Sequence, residues 1–407
     1  MWSCMPPLDY ASALAVLRRG VDADLHRVLL AALESVGGRD PVVYLVDFAH
    51  RELLPLPVSV SGPVPLEEEV TGTLAGRAFI TGRAVTSARD DHIRVWVPLL
   101  EGTERTGVMA VSVDATTPES LLELELLGVF AGMAVSAIAG VSDLPHLRRR
   151  GRSMSLAATM QWELMPPLSA GTGRASVAGV LEPAYDVAGD GFDYAINGDE
   201  LHFALLDGMG HGVASSMLAG LAVGAYRHAR REQAPVAQMH LEIEDAVAEQ
   251  YSGEAFATGI IARLSTVTGV LEWSCAGHPP PLLLRDRKVV MELACEPSLP
   301  FGLGDRNPTV AQHTLQPNDT LLMYTDGVVE ARTPTGEEFG LERLRDLIER
   351  EAASGERAEE LLRRVVRAVV DHRVGPLRDD ATLLLVQWLG TNNVTVIPVP
   401  EQRLISA

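Results

Sequence analysis

Residues 201–231 read LHFALLDGMGHGVASSMLAGLAVGAYRHARR, and the fold turns on how Asp207 and Gly208 are understood. The run LHFALL has the composition of a buried strand, and VASSMLAGLAVGAYRHARR that of a helix with a small-residue face. An Asp-Gly at a strand end is ordinarily a type I′ hairpin turn. That reading fails here, because a helix and not a returning strand follows Asp207. The pattern repeats along the second half of the chain. Asp190 and Asp193 lie in Val187-Ala188-Gly189-Asp190-Gly191-Phe192-Asp193, Asp326 ends LLMYT in Thr325-Asp326-Gly327, and Asp379-Asp380 precede the strand ATLLLVQW.

Aspartates at the ends of strands that share one sheet system are costly. Two carboxylates ~4 Å apart repel by ~4 kcal/mol at an effective dielectric near 20. Several such pairs would consume much of a domain's ~5–15 kcal/mol net stability. Cations relieve that repulsion without protonating the groups. Oxygen-only ligands without a cysteine or histidine cluster predict Mg²⁺ or Mn²⁺.

Strand-like runs at 174–182, 201–206, 257–264, 270–275, 282–284, 320–324 and 382–388 alternate irregularly with helical stretches at 213–231, 236–251 and 341–373. Such an order predicts an α+β sandwich over 171–390. The series VAGDGFD, LLDGMGHGVASSMLAG, FATGIIARL, CAGHPPPLLL, LLMYTDGVVEAR and RDDATLLL resembles the PPM family of metal-dependent protein serine/threonine phosphatases, in its bacterial SpoIIE/RsbU-like branch. The resemblance implies an α-β-β-α sandwich with a dinuclear metal centre at one end. It implies that Asp207 bridges two ions and that the Gly208 carbonyl binds one. Asp326 and Asp379 would ligate the other side, while Asp190 would hold a metal-bound water. Water between two divalent ions is acidified towards neutrality and becomes the nucleophile. These four aspartates are therefore the expected catalytic residues.

The sequence departs from the family in two places. Ala188-Gly189-Asp190 replaces the usual Gly-Gly-Asp, and Met209 stands where eukaryotic members carry a histidine thought to protonate the leaving oxygen. His211 and His278 are the substitutes to weigh, each against a structural hydrogen-bonding role. Asp193 reads as a supporting or capping acid, and Asp380 as an occasional ligand. Gly208, Gly210 and Gly212 are spaced G-x-G-x-G without a βαβ unit, which disfavours a nucleotide site. Only one lysine, Lys288, is present, and its polar turn suits neither a P-loop, nor kinase, nor Schiff-base chemistry.

The first half predicts a regulatory unit. A helical pattern at 23–36, strands at 42–48, 93–100 and 108–115, and a helix at 118–140 resemble a GAF domain over residues 1–145. Residues 146–170 predict a helical connector opened by Arg148-Arg149-Arg150, and residues 391–407 a tail that either docks as a strand or stays loose. The longest apolar run, Leu126 to Val141, is shorter than the ~20 residues a spanning helix requires, and its small residues predict close packing on another helix. The same helix and the connector could pair between chains as a homodimer. No signal peptide is read at the N-terminus, and three scattered cysteines (Cys4, Cys275, Cys295) fit a reducing cytoplasm.

The 407 residues carry 34 Lys+Arg against 54 Asp+Glu, a net charge of −20. That balance disfavours nucleic acid and anionic membrane as partners. The expected function is a cytoplasmic signalling phosphatase acting on phosphoserine or phosphothreonine of a partner, of the anti-sigma-factor antagonist type by resemblance. The rival is a catalytically silent sandwich that serves as a partner-binding adaptor.

Overall fold

The computed structural model describes residues 25, 29–30, 32–33, 37–56, 65–186, 189–296, 298–333, 335–355, 357–372 and 380–391. The expected ligand Asp379, residues 187–188, most of the expected helix 23–36 and all but the first residue of the expected tail lie outside the described residues. The chain divides into two compact units, Met1–Ser153 and Met154–Ala407.

The first unit is one six-stranded antiparallel sheet with helices on it. Its elements are β1 (Gly38–Val46), β2 (Glu52–Leu56), β3 (Glu68–Glu69), α1 (Leu74–Thr81), β4 (Val85–Ala88), β5 (Ile93–Glu101), β6 (Glu104–Val113), α2 (Pro118–Ala139) and α3 (Leu144–Arg149). The strand order is β3-β2-β1-β6-β5-β4. The expected hairpin is present, with Glu101 opposite Glu104. Thr117 caps α2 by accepting from the Ser120 N–H, and Ser120 answers on the Thr117 N–H. By length and composition α2 could cross a membrane. Its small residues pack closely on β5. A Cβ on Gly128 would come within 2.4 Å of the Pro98 oxygen, and one on Gly132 within 2.6 Å of the Leu100 oxygen. Leu124, Leu127, Ala131 and Ala134 bury the same face.

The second unit is a four-layer sandwich. It runs α4 (Leu156–Leu164), β7 (Ser169–Gly171), β8 (Ala175–Glu182), β9 (Asp190–Asn197), β10 (Glu200–Gly208), α5 (Val213–Arg231), α6 (Val236–Tyr251), β11 (Ala257–Ser265) and β12 (Val270–Ala276). There follow β13 (Leu282–Arg285), β14 (Lys288–Glu292), β15 (Ala311–Thr314), β16 (Thr320–Tyr324), α7 (Asp326–Val329), α8 (Leu341–Ala353), α9 (Ala358–Asp371) and β17 (Ala381–Trp388). One sheet is ordered β15-β12-β11-β10-β9 and the other β14-β13-β16-β17-β8-β7.

Period-two alternation separates the layers. Phe203 and Leu205 face Leu384 and Val386 between the sheets. Their neighbours Ala204 and Leu206 face Leu218, Ala222, Tyr226 and Ile243 of α5 and α6. On the far side Leu383 and Leu385 face Leu344, Ile348, Leu362 and Val365 of α8 and α9. The single helix expected over 341–373 is broken between α8 and α9, where Gly355 takes a left-handed φ of 74°. The connector is divided as well: α3 falls in the first unit and α4 in the second.

Candidate metal centre

Strand β9 was not among the expected strands, although it carries Asp190. Its DGFDYAIN sequence has two aspartates, a glycine and an asparagine, which mask the strand signal. The alternation Phe192, Tyr194, Ile196 was the available clue, and all three pack into the core between the sheets. β9 forms the edge of its sheet and pairs antiparallel with β10, placing Asp190 opposite Asp207. The Gly208 N–H donates to the Gly189 oxygen at 2.9 Å. Asp190 and Asp207 therefore occupy the adjacent non-hydrogen-bonded pair, where Cα atoms stand ~4.5 Å apart and side chains approach most closely.

The second sheet closes on this pair from across the sandwich. The Thr325 hydroxyl, at the end of β16, donates to Asp190 Oδ2 at 2.7 Å and accepts from the Thr382 N–H at 3.0 Å. Asp380, just ahead of β17, accepts through Oδ2 from the N–H groups of Gly189 at 2.6 Å and Asp190 at 3.1 Å. Asp326 is half-buried and opens α7 directly after Thr325. The glycine after it has a packing reason: a Cβ on Gly327 would sit 1.9 Å from the Asp380 oxygen. That Asp-Gly starts a helix against β17 instead of turning a hairpin.

The expected residues thus separate into groups. Asp190 and Asp207 are cross-strand partners, and Asp326 follows the threonine that holds Asp190. The Gly208 carbonyl, expected to face a metal, accepts from the Ser215 hydroxyl at 2.6 Å, so one of its two lone pairs is already engaged. Asp193 is taken up by Arg227 at 2.8 Å and Arg230 at 2.7 Å, a buried ion-pair triad apart from the acid group. Asp380 and Thr325 are the residues sequence reading undervalued. Their role is exercised through backbone N–H groups and a hydroxyl from distant segments, which leaves no local pattern.

Electrostatics mark the site. Burial raises the Asp190 carboxyl well above the usual carboxylate range, and the negative charges of Asp207 and Asp380 raise it further, against hydrogen bonds from Thr382 and Thr325. Among the described residues no three acid, histidine or cysteine side chains by themselves form a group that could hold an ion. The carboxylates of Asp190, Asp207 and Asp380 are hard oxygen donors that the fold holds near one another against their mutual repulsion, and a further acid, Asp379, adjoins Asp380 in sequence. Such a set fits a divalent Mg²⁺ or Mn²⁺ ion.

Neither histidine replaces the missing Asp-Gly-His acid by evident design. His278 is buried, and burial lowers its pKa to about 4. Its Nε2 lies 3.1 Å from the Tyr324 carbonyl, so it must be the protonated nitrogen, and Nδ1 meets the Thr258 hydroxyl at 3.0 Å. It is a neutral cross-brace. His211 is exposed in the loop between β10 and α5.

The acid-lined end of a double-sheet sandwich defines a class, the PP2C-type phosphatase domain. Residues 197–389 match the family model described as stage II sporulation protein E (SpoIIE), and this part of the chain is a SpoIIE-type PP2C domain, homologous to RsbU. The protein IcfG of Synechocystis sp. is 26% identical over 236 residues, which cover 51% of this chain and 37% of IcfG. The chain thus matches little more than a third of that relative's length. Phosphoserine phosphatase RsbU of Bacillus subtilis is 21% identical over 237 residues, covering 58% of this chain and 69% of RsbU. Among solved structures, the SiaA-PP2C domain of Pseudomonas aeruginosa is 22% identical, with a TM-score of 0.49, covering 57% of this chain and 94% of that domain.

Proposed function

We propose that the protein is a Mn²⁺- or Mg²⁺-dependent phosphatase that removes phosphate from serine or threonine of a signalling partner in the cytoplasm. The observation that carries this reading is the cross-strand pairing of buried Asp190 with half-buried Asp207, two like-charged carboxylates of which the first is desolvated and braced from the opposite sheet. Asp207, Asp326 and Asp379 would hold two ions together with Asp190 and the second lone pair of the Gly208 carbonyl. Bound there, the ions would lower the pKa of a water to supply the nucleophile and neutralise charge on the phosphoryl oxygens.

The chain's own residues do the positioning. Thr325 and Asp380 fix the Asp190 carboxylate and its backbone. Neutral His278 has both nitrogens committed and does not protonate the leaving oxygen, which leaves exposed His211 as the histidine to examine. RsbU is named a phosphoserine phosphatase, and with the motif resemblance this favours an anti-sigma-factor antagonist as the substrate.

The first unit, GAF-like in its order of elements, would regulate the phosphatase unit through the 146–170 connector. Leu126 and Met133 stand exposed one heptad apart on α2, which supports a homodimer through that face. The net charge of −20 continues to argue against nucleic acid or an anionic membrane as partner.

The test is Mn²⁺-dependent hydrolysis of a phosphopeptide or of p-nitrophenyl phosphate by the full chain, lost in Asp326→Asn. A wild type without activity, matched by Asp326→Asn and unable to bind Mn²⁺ in calorimetry, would leave the adaptor reading in its place.

A further inference from the structure

Asp190 sits on an edge strand, so its backbone N–H and C=O both point away from β10 and need partners elsewhere. Asp380 takes the N–H. The carbonyl is taken by Gln161 of α4, whose Nε2 donates to it at 2.6 Å in a buried position. Helix α4 lies outside the segment that matches the SpoIIE family model, residues 197–389. It is nevertheless bound to the loop that delivers Asp190. Ser155, its N-cap, donates through its hydroxyl to the Asp186 oxygen at 2.8 Å, and Trp162 Nε1 donates to the Ala184 oxygen at 2.8 Å.

The Gln161 contact differs from these anchors because it alone reaches the residue that carries the carboxylate. Its Oε1 is buried with no hydrogen-bond partner, an arrangement that costs free energy and that a purely packing residue would not need. Beside it lies a pocket lined by Gln161, Asp190, Phe192, Ser216, Ala219 and Val223, with room of about 10 Å³, scarcely one water.

We propose that Gln161 is a positioning residue for the metal centre, fixing the backbone of Asp190 so that its carboxylate stays beside Asp207. The inference rests on the phosphatase reading above. It reaches further by making a helix that precedes the matched domain part of the site. A helix that held the domain together without orienting Asp190 would affect stability alone; a positioning residue also changes metal affinity in protein that is fully folded.

The experiment is calorimetric titration of the full chain with Mn²⁺ well below its melting temperature, for wild type, Gln161→Leu, Gln161→Asn and Trp162→Phe. Gln161→Asn keeps an amide but is one methylene too short, so it serves where the leucine variant fails to fold. The expected result is Mn²⁺ affinity reduced about ten-fold in the Gln161 variants, as for other groups that orient metal ligands. Trp162→Phe, which cuts a different anchor of the same helix, should keep wild-type affinity whatever its melting temperature. The Mn²⁺ concentration giving half-maximal hydrolysis should rise in parallel, with activity recovered at saturating Mn²⁺. Gln161 variants that bind Mn²⁺ within two-fold of wild type would overturn the inference and leave the phosphatase reading intact. Equal loss in Trp162→Phe would also overturn it, in favour of a general effect of helix docking. A wild type that binds no Mn²⁺ would overturn both.

Discussion

Replacing Thr325 by valine keeps its shape and β-branching but deletes the hydroxyl at the centre of the acid cluster. That hydroxyl donates to Asp190 Oδ2 at 2.7 Å and accepts from the Thr382 N–H at 3.0 Å, and both threonines are fully buried. A hydrogen bond to a charged acceptor is worth ~1.5–3 kcal/mol, and a buried N–H stripped of its partner costs ~1–3 kcal/mol. The two sum to ~2.5–6 kcal/mol. In a domain of this size each kcal/mol moves the melting temperature by ~2–4 °C, so the transition of the second unit should fall by ~5–24 °C. Because the lost bond orients a carboxylate of the metal centre, Mn²⁺-dependent hydrolysis should drop ~10–100-fold. Thr325→Ser keeps the hydroxyl and should stay within ~1 kcal/mol of wild type. Scanning calorimetry in Mn²⁺ and in EDTA reads the first quantity, and p-nitrophenyl phosphate turnover the second. A valine variant that melts within 2 °C of wild type, with unaltered turnover, would refute the idea that this hydroxyl braces Asp190.

Other outcomes follow from the same geometry. Asp326→Asn and Asp379→Asn should each abolish metal-dependent turnover while leaving the far-UV circular dichroism spectrum unchanged; full activity in either would remove that residue from the centre. Asp193→Ala strands Arg227 and Arg230 and should cost ~3–5 kcal/mol in urea unfolding, with Mn²⁺ affinity preserved because the ion-pair triad is separate from the metal acids. His278 titrates near 6.5 in the unfolded chain and at about 4 in the folded one. Between those values the unfolded state binds the extra proton, so stability falls with falling pH over 6.5 to 4, by up to ~3 kcal/mol. A His278→Gln variant should show a correspondingly flatter stability profile across that window, and an unchanged slope would argue against a buried neutral imidazole.

The strands that alternate cleanly were legible before any coordinates. LHFALL, ATLLLVQW and LLMY announce themselves by apolar content, and the Asp-Gly after LHFALL declares its oddity because a helix follows. Asp207 and Asp326 could be nominated for the same reason, since each carboxylate ends an apolar run, whereas Asp190 was nominated by its Ala188-Gly189-Asp190 motif. Strand β9 was hidden because Asp190, Gly191, Asp193 and Asn197 dilute its apolar alternation, and the helix over 341–373 was drawn too long because the left-handed Gly355 lies within an otherwise helical composition.

Local pattern along this chain thus determines which segments become strands and helices, and which acids stand at their ends. It does so because backbone preference and apolar periodicity are properties of near neighbours. The partnerships were decided only by the fold: Asp190 opposite Asp207, Thr325 on the Asp190 carboxylate, Asp380 on its N–H and Gln161 on its carbonyl. Those contacts join residues between 17 and 190 positions apart, and what selects them is the stacking of two sheets and the open edge of β9, neither of which any single stretch of sequence encodes.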